Sequence, residues 1–348
     1  MKNRALKTIA VFFMLTVLHP DAAAAGENPL DQPKRVLVEL FTSQGCSSCP
    51  PASDLVGKLT ELGVGRDRIV PLNFHVDYFN QPWPDPFSDA SYTRRQCDYN
   101  RVQRRDDLQF TPLLMVDGRQ PLFGSDRTIA GAAIEQALKM PPEVALDLKL
   151  DGTKNRKTAL VKVAARSSVV AGHALLIGMA LTEDPVTTRV LCGENARLTL
   201  VEHHVVRRFD QRFLKLDRTG TRAFSFPIDL PGGADAARFR VVVFAQDRVN
   251  SHVFQANELP WNPARAPVVR ADSARDLDRV VLRRKARRAA LNRLLNLPVF
   301  DPWVMTTDES NSAFLATCPA CGSPFYPPTI GSNDRRSVPG FPPLVGTC

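Results

Sequence analysis

Short apolar runs and helically spaced apolar residues take turns over the first part of the chain. "RVLVELF" (35–41) is an apolar, β-branched run that predicts a buried strand. "ASDLVGKLTELG" (52–63) sets Leu55, Leu59 and Leu62 at helical spacing, with Gly63 as a stop. "RIVPLNFHV" (68–76) reads as a second buried strand, and two strands joined through a helix over this distance imply a parallel crossover. A polar insert (77–107) follows and turns helical from Ser88 onward. "FTPLLMVDGRQPLFG" (110–124) is a hairpin signal about Asp117-Gly118, and "DRTIAGAAIEQALK" (126–139) closes the unit as an Ala-rich helix. The expected order is β, α, β, α, β, β, α.

From Glu143 the pattern changes to short alternating runs: "VALDLKL", "TALVKVAA", "ALLIGMALT", "RLTLVEHHVVRRF", "AFSFPIDL" and "RFRVVVFAQD". Turn residues such as Asp151-Gly152 and Pro231-Gly232-Gly233 separate them. Repeated strands without intervening helices predict an antiparallel, sandwich-like unit. The expectation is therefore an α/β domain over 34–140, a join at Pro141-Pro142, and a mainly antiparallel β-domain over 143–258. Beyond Pro260 a basic helix is expected within 265–296, and a Pro-, Ser- and Gly-rich tail (297–348) is expected to be disordered.

Charge refines this picture in one place. The formal net charge is +9, yet residues 265–293 alone hold ten Arg or Lys against three Asp, so most of the basicity is local. That segment, 279–293 above all, could meet an anionic membrane surface. No aromatics interleave its arginines, and nucleic acid is not expected as a partner. With 44% hydrophobic and 23% charged residues, the chain can bury a core without relying on disulfides.

The amino terminus sets the compartment. Lys2, Arg4 and Lys7 precede "IAVFFMLTVL", and Ala23 and Ala25 give a small-residue cleavage pattern before Gly26. This reads as a signal peptide over 1–25, hence a periplasmic or secreted protein in which disulfides persist.

The candidate chemistry lies in "FTSQGCSSCPP" (41–51), where Cys46 and Cys49 stand three apart between the first strand and the first helix. A thiol at a helix start meets unsatisfied N–H groups that favour the thiolate, which is the nucleophile. Cys49, about one turn later, is placed to resolve a mixed disulfide formed at Cys46. Ser47 and Ser48 can donate hydrogen bonds to a sulfur anion, and Gly45 permits a tight turn. Pro50 and Pro51 are tolerated only in a first turn, so the helix is expected to begin near Cys49 or Pro50 and to leave Cys46 just ahead of it.

The "GCSSCPP" turn, "FHVDY" at a strand end, "FTPLLMVDG" and, later, "GENARLTLVEHHVVRRF" and "VVVFAQD" together resemble a secreted thioredoxin-like family of unknown function, over about residues 34–258. The resemblance implies a thioredoxin-like first domain and a cis-proline at Pro112, with Thr111 offering backbone groups to an extended substrate. A strand-leading proline is also common for steric reasons alone. His75 and Asp77, expected on one face of the second strand, could relay protons. With both thiolates they could instead hold a soft metal, Cu or Zn at Cys46, Cys49 and His75, or they could simply be a structural, hydrogen-bonded His and Asp.

Other candidates carry less. His203 and His204, adjacent in an expected strand, should face opposite sides, which argues against a shared metal. Cys318 and Cys321 supply half a zinc knuckle, with only Cys348 beyond them, and a surface disulfide is the plainer reading. Cys97 and Cys192 could bridge the two units or be buried thiols. Two functional readings remain open. One is an exported thiol-disulfide oxidoreductase acting on client protein thiols or disulfides, without a cofactor. The other is a binding module whose Cys46-Cys49 pair is a structural clasp or a soft-metal grip.

Overall fold

In a computed structural model of the 348-residue chain, the residues described are 32–61, 68–166, 170, 172–216 and 221–262. The expected signal peptide, basic helix and tail, with Cys318, Cys321 and Cys348, lie outside them. The first half runs β1 (Val36–Thr42), α1 (Pro50–Glu61), β2 (Ile69–His75), α2 (Ala90–Gln103), β3 (Leu113–Val116), β4 (Gln120–Phe123) and α3 (Arg127–Leu138). Local chemistry explains the boundaries. Two prolines open α1, where their missing N–H groups cost nothing. Asp89 caps α2 by accepting from the Ser91 N–H, and Asp126 caps α3 by accepting from the Ile129 N–H. Asp117 and Gly118, both at positive φ (49° and 63°), make the tight hairpin turn between β3 and β4.

The second half is all strand among the described residues except for one 3-10 turn: β5 (Val144–Gly152), β6 (Arg156–Ala165), β7 (Ala174–Glu183), β8 (Val186–Arg189), β9 (Thr199–Glu202), β10 (Val205–Lys215), β11 (Thr221–Asp229), β12 (Phe239–Asp247) and β13 (Val253–Pro260). The run "RLTLVEHHVVRRF", expected as one strand, breaks at His203-His204, where His204 takes φ 55°.

The expected fold class, an α/β thioredoxin-like domain followed by a separate antiparallel sandwich, is corrected by the sheet order. One mixed eight-stranded sheet runs β13-β12-β7-β10-β2-β1-β3-β4, taking four strands from before Pro141-Pro142 and four from after. The parallel pair β1–β2 lies within it, and β10 joins the outer edge of β2 at Val205 opposite Asn73, where the Asn73 N–H donates to the His204 carbonyl at 3.0 Å. The reason is physical. Without β10 the buried strand β2 would present unpaired backbone groups at an edge. β7, buried along nearly all its length, also needs apolar cover on both faces.

That cover comes from two cores. On one face Leu175, Ile177, Met179 and Leu181 of β7 pack against the three-stranded sheet β11-β6-β5. On the other, Leu176 and Ala180 share a cluster with Leu37, Phe41, Phe74, Val242 and Phe244, residues from both halves of the chain. Arg95 of α2 is buried in that cluster. Its guanidinium binds Glu39 at 2.6 Å and lies over the rings of Phe244 (4.8 Å) and Phe209 (5.2 Å). Tyr99 donates to Glu39 from the same helix, and Gln246 of β12 donates to Tyr99 at 3.1 Å. α1 and α3 cover the opposite face of β1 to β4. The small hairpin β8–β9 delivers residues 190–202 to the carboxyl ends of β1 and β2.

Candidate active site: the CxxC turn

β1 ends at Thr42 and α1 starts at Pro50, so Cys46 lies in the turn between them and Cys49 stands at the helix entrance. The Cys49 N–H donates to the Cys46 carbonyl (3.2 Å), and the Cys49 carbonyl accepts from Ala52 and Ser53 (3.0 Å each), the first bonds of α1. Cys46 is therefore ahead of the helix, and the turn rather than the helix end shapes its chemistry. Gly45 is needed because a Cβ there would stand 2.8 Å from the Phe79 carbonyl oxygen.

Among the described residues the free cysteines are Cys46 and Cys49, whereas Cys97 and Cys192 are disulfide-bonded. The Cys46 sulfur lies 3.2 Å from the Ser48 hydroxyl and 3.8 Å from the Thr111 carbonyl, and the Thr111-Pro112 peptide is cis. A hydrogen bond from Cys49 is the main influence that carries the Cys46 thiol down to about 6, against the opposing effect of burial. Ser48, through hydroxyl and backbone N–H, and Thr111 assist. Burial first, and then the neighbouring Cys46, push Cys49 well above the ordinary thiol range. The two sulfurs are thus unequal: one is poised as a thiolate and the other holds its proton.

Cys46, Cys49, Ser48, Thr111 and Pro112 come together. Ser47 does not turn its hydroxyl to the sulfurs. It is exposed, and its N–H donates to Glu194 Oε2 at 2.8 Å. Glu194 belongs to a strap between β8 and β9, in which Asn195 Nδ2 donates to both the Gln44 and Cys46 carbonyls at 2.9 Å. Beneath the strap Cys46 is 3% exposed and Cys49 2%.

The expectation that His75 and Asp77 share one face of the second strand is corrected. β2 ends at His75, and Asp77 lies beyond it, accepting from the Thr93 hydroxyl of α2. His75 instead meets Asp85, with Nδ1 2.7 Å from Oδ2, and faces Glu202, with Nε2 3.6 Å from Oε1. Burial opposes its charge, but Asp85 and then Glu202 outweigh burial and push His75 up to about 9. Burial alone would raise Asp85, yet His75 and the N–H groups of Gln44 and Phe87 hold it low; burial keeps Glu202 raised. With its ring aimed at two carboxylates, His75 does not complete a metal set with the thiols, and among the described residues no group of three His, Cys, Asp or Glu is arranged to hold a metal.

The expectation that His203 and His204 face apart is likewise corrected. Both turn to Asp184, at 2.7 and 3.2 Å, because the chain leaves strand geometry there. Sequence reasoning missed Gln44, Asp85, Glu194, Asn195 and Glu202. "GENARLTLVEHH" carried three of them in a recognised stretch, but nothing local said that this stretch crosses to the cysteine turn.

The fold and site together define a class: a mixed β-sheet protein carrying an unpaired CxxC dithiol opposite a cis-proline. The chain belongs to a family described as a protein of unknown function (DUF1223), whose model matches residues 37–246. Two solved structures are similar in fold. One is an Agrobacterium tumefaciens protein, 22% identical, TM-score 0.52, with 68% of this chain and 98% of that chain covered. The other is HBP35 of Porphyromonas gingivalis, 15% identical, TM-score 0.52, with 70% and 80% covered. No curated protein matches.

Proposed function

We propose that the chain is an exported thiol-disulfide oxidoreductase in which Cys46 attacks and Cys49 resolves. The observation that carries this reading is the inequality of the two thiols, Cys46 down to about 6 and Cys49 well above the ordinary range, opposite the cis Thr111-Pro112 peptide. The likeness to thioredoxins is retained for this site alone. The Cys46 thiolate displaces one sulfur of a client disulfide and forms a mixed disulfide, and that sulfur leaves as a thiolate. Cys49 then attacks the Cys46 sulfur, its proton passing to the departing client sulfur. The client gains two electrons and Cys46-Cys49 becomes the disulfide; oxidised protein runs the steps in reverse. Client protein thiols or disulfides are the partners, no cofactor is needed, and the amino-terminal pattern supports export.

The test is trapping. A Cys49→Ser protein retains the attacking thiol without the resolving one and should accumulate mixed disulfides with exported proteins; Cys46→Ser should accumulate none. Equal alkylation of both thiols with nothing trapped would overturn the reading.

A second reading rests on the 3% exposure of Cys46 beneath the Glu194-Asn195 strap. A shielded pair suits a structural clasp in a binding module. A soft-metal grip (Cu or Zn) at the same thiols would need a ligand from elsewhere.

A further inference from the structure

We propose that His75 is a positioning residue for the cysteine turn, acting through Gln44: the imidazolium holds Asp85 and Glu202 together, and those two carboxylates in turn grip Gln44, two residues before Cys46. The proposal rests on the exchange reading for its consequence and on geometry for its argument. Gln44 is the meeting point of both acids. Its backbone N–H donates to Asp85 Oδ2 at 2.8 Å, the oxygen that also receives His75 Nδ1, and its side-chain amide donates to Glu202 Oε2 at 2.6 Å. Trp83 Nε1 donates to the Gln44 side-chain oxygen at 3.2 Å. The Gln44 carbonyl is held with that of Cys46 by the one Asn195 amide.

His75 occupies the centre of this arrangement without touching either sulfur. Its side chain is fully buried, it pairs in register with Thr42 at the end of β1, and the Phe87 ring meets its own edge-on at 5.5 Å. The charged groups around it are Asp85 from the loop before α2, Glu202 from β9 and, lowering its charge affinity, Arg207 from β10. Arg207 is itself held by Glu183 and lies over the Phe87 ring at 5.0 Å. Two buried carboxylates gripping one residue repel each other unless a cation stands between them. His75 Nε2 makes no hydrogen bond, so its role toward Glu202 is charge rather than a fixed donor contact. Loss of that charge frees the acids to separate, and Gln44 moves with them. The Ser48 and Cys49 contacts that favour the Cys46 thiolate depend on where the turn sits, so they loosen as well.

The experiment follows iodoacetamide alkylation of Cys46 against pH in the reduced full chain, for wild type, His75→Gln and Gln44→Ala, with circular dichroism reporting the fold. His75→Gln should move the Cys46 midpoint upward by about one unit or more, roughly a tenfold loss of thiolate at pH below the midpoint. Gln44→Ala keeps His75, Asp85 and Glu202 but cuts the side-chain link, and should move the midpoint in the same direction. A His75 that merely stabilises the fold would leave the midpoint of folded His75→Gln at the wild-type value. Folded variants with unmoved midpoints overturn the proposal, and so does a wild-type midpoint near an ordinary thiol. Should His75→Gln fail to fold, His75→Asn is read for the same midpoint in its place, and an unmoved Gln44→Ala midpoint still overturns the proposal. Because alkylation needs no client, absent trapping with a His75-dependent midpoint defeats the exchange reading and leaves this one standing.

Discussion

At the scale of single residues, the two thiols of one turn are set apart by burial and by which sulfur receives hydrogen bonds. With Cys46 at about 6, the thiolate is favoured in the reduced protein. Known exchange thiols span about 7 to about 3.5, so the couple should equilibrate with glutathione buffers between about −270 and −120 mV, whereas a clasp would lie below about −300 mV. His75 sets a pH dependence of opposite sense to that of Asp85. Its folded value of about 9 stands above the ordinary 6.5, so its contribution is full below 6.5 and is lost as pH rises through 9. Glu202, also raised, acts in the same direction, while Asp85, held low, contributes above its ordinary value and loses that contribution in acid. Urea midpoints should therefore fall between pH 7 and 10 by an amount worth at most about 3 kcal/mol, and His75→Gln should flatten that fall. Cys46 and Cys49 were legible as residues because spacing and turn chemistry are local, and Pro112 through the family resemblance. The partner of His75 was not, since Asp85 arrives from a proline-rich loop with no periodicity.

Individual elements show where tight packing replaced a side chain. Gly178 in the middle of β7 sits opposite Phe244 of β12, and a Cβ there would stand 2.2 Å from the Phe244 ring. The ring fills the space that the missing side chain leaves, so Gly178→Ala must displace an aromatic inside the shared core. A loss of about 1–3 kcal/mol in urea unfolding is expected, with the far-ultraviolet spectrum retained. Element existence was readable from the sequence, since β1, α1, β2, α2, the β3–β4 hairpin and α3 each follow an apolar period or a cap. β8 and β13 were not anticipated: "VTTR" is four residues long, and "VFQANELP" alternates apolar and polar residues too weakly.

The whole molecule is joined across its midpoint by the sheet and by Arg95. The guanidinium of a helix in the first half is paired with Glu39 and covered by Phe209 and Phe244 of the second half. Unfolding should accordingly be one transition, with tryptophan fluorescence and circular dichroism coinciding, where two independent domains would give two. Arg95→Ala leaves Glu39 buried without its cation and should cost about 3–5 kcal/mol.

The amino-acid sequence by itself determined the succession of elements from β1 to α3 and most of the strands beyond, the break in pattern near Pro141-Pro142, and the CxxC turn at a strand end. Periodicity, caps and turn residues act over a few positions, and these features need nothing more. Tertiary structure alone decided that β10 pairs with β2 and so merges two apparent units into one sheet. It also decided that residues 194–202 lie on the cysteine turn and that His75 faces Asp85 and Glu202. Strand partners are chosen by edges to be covered and by apolar faces to be matched, and neither is written in the order of residues along the chain.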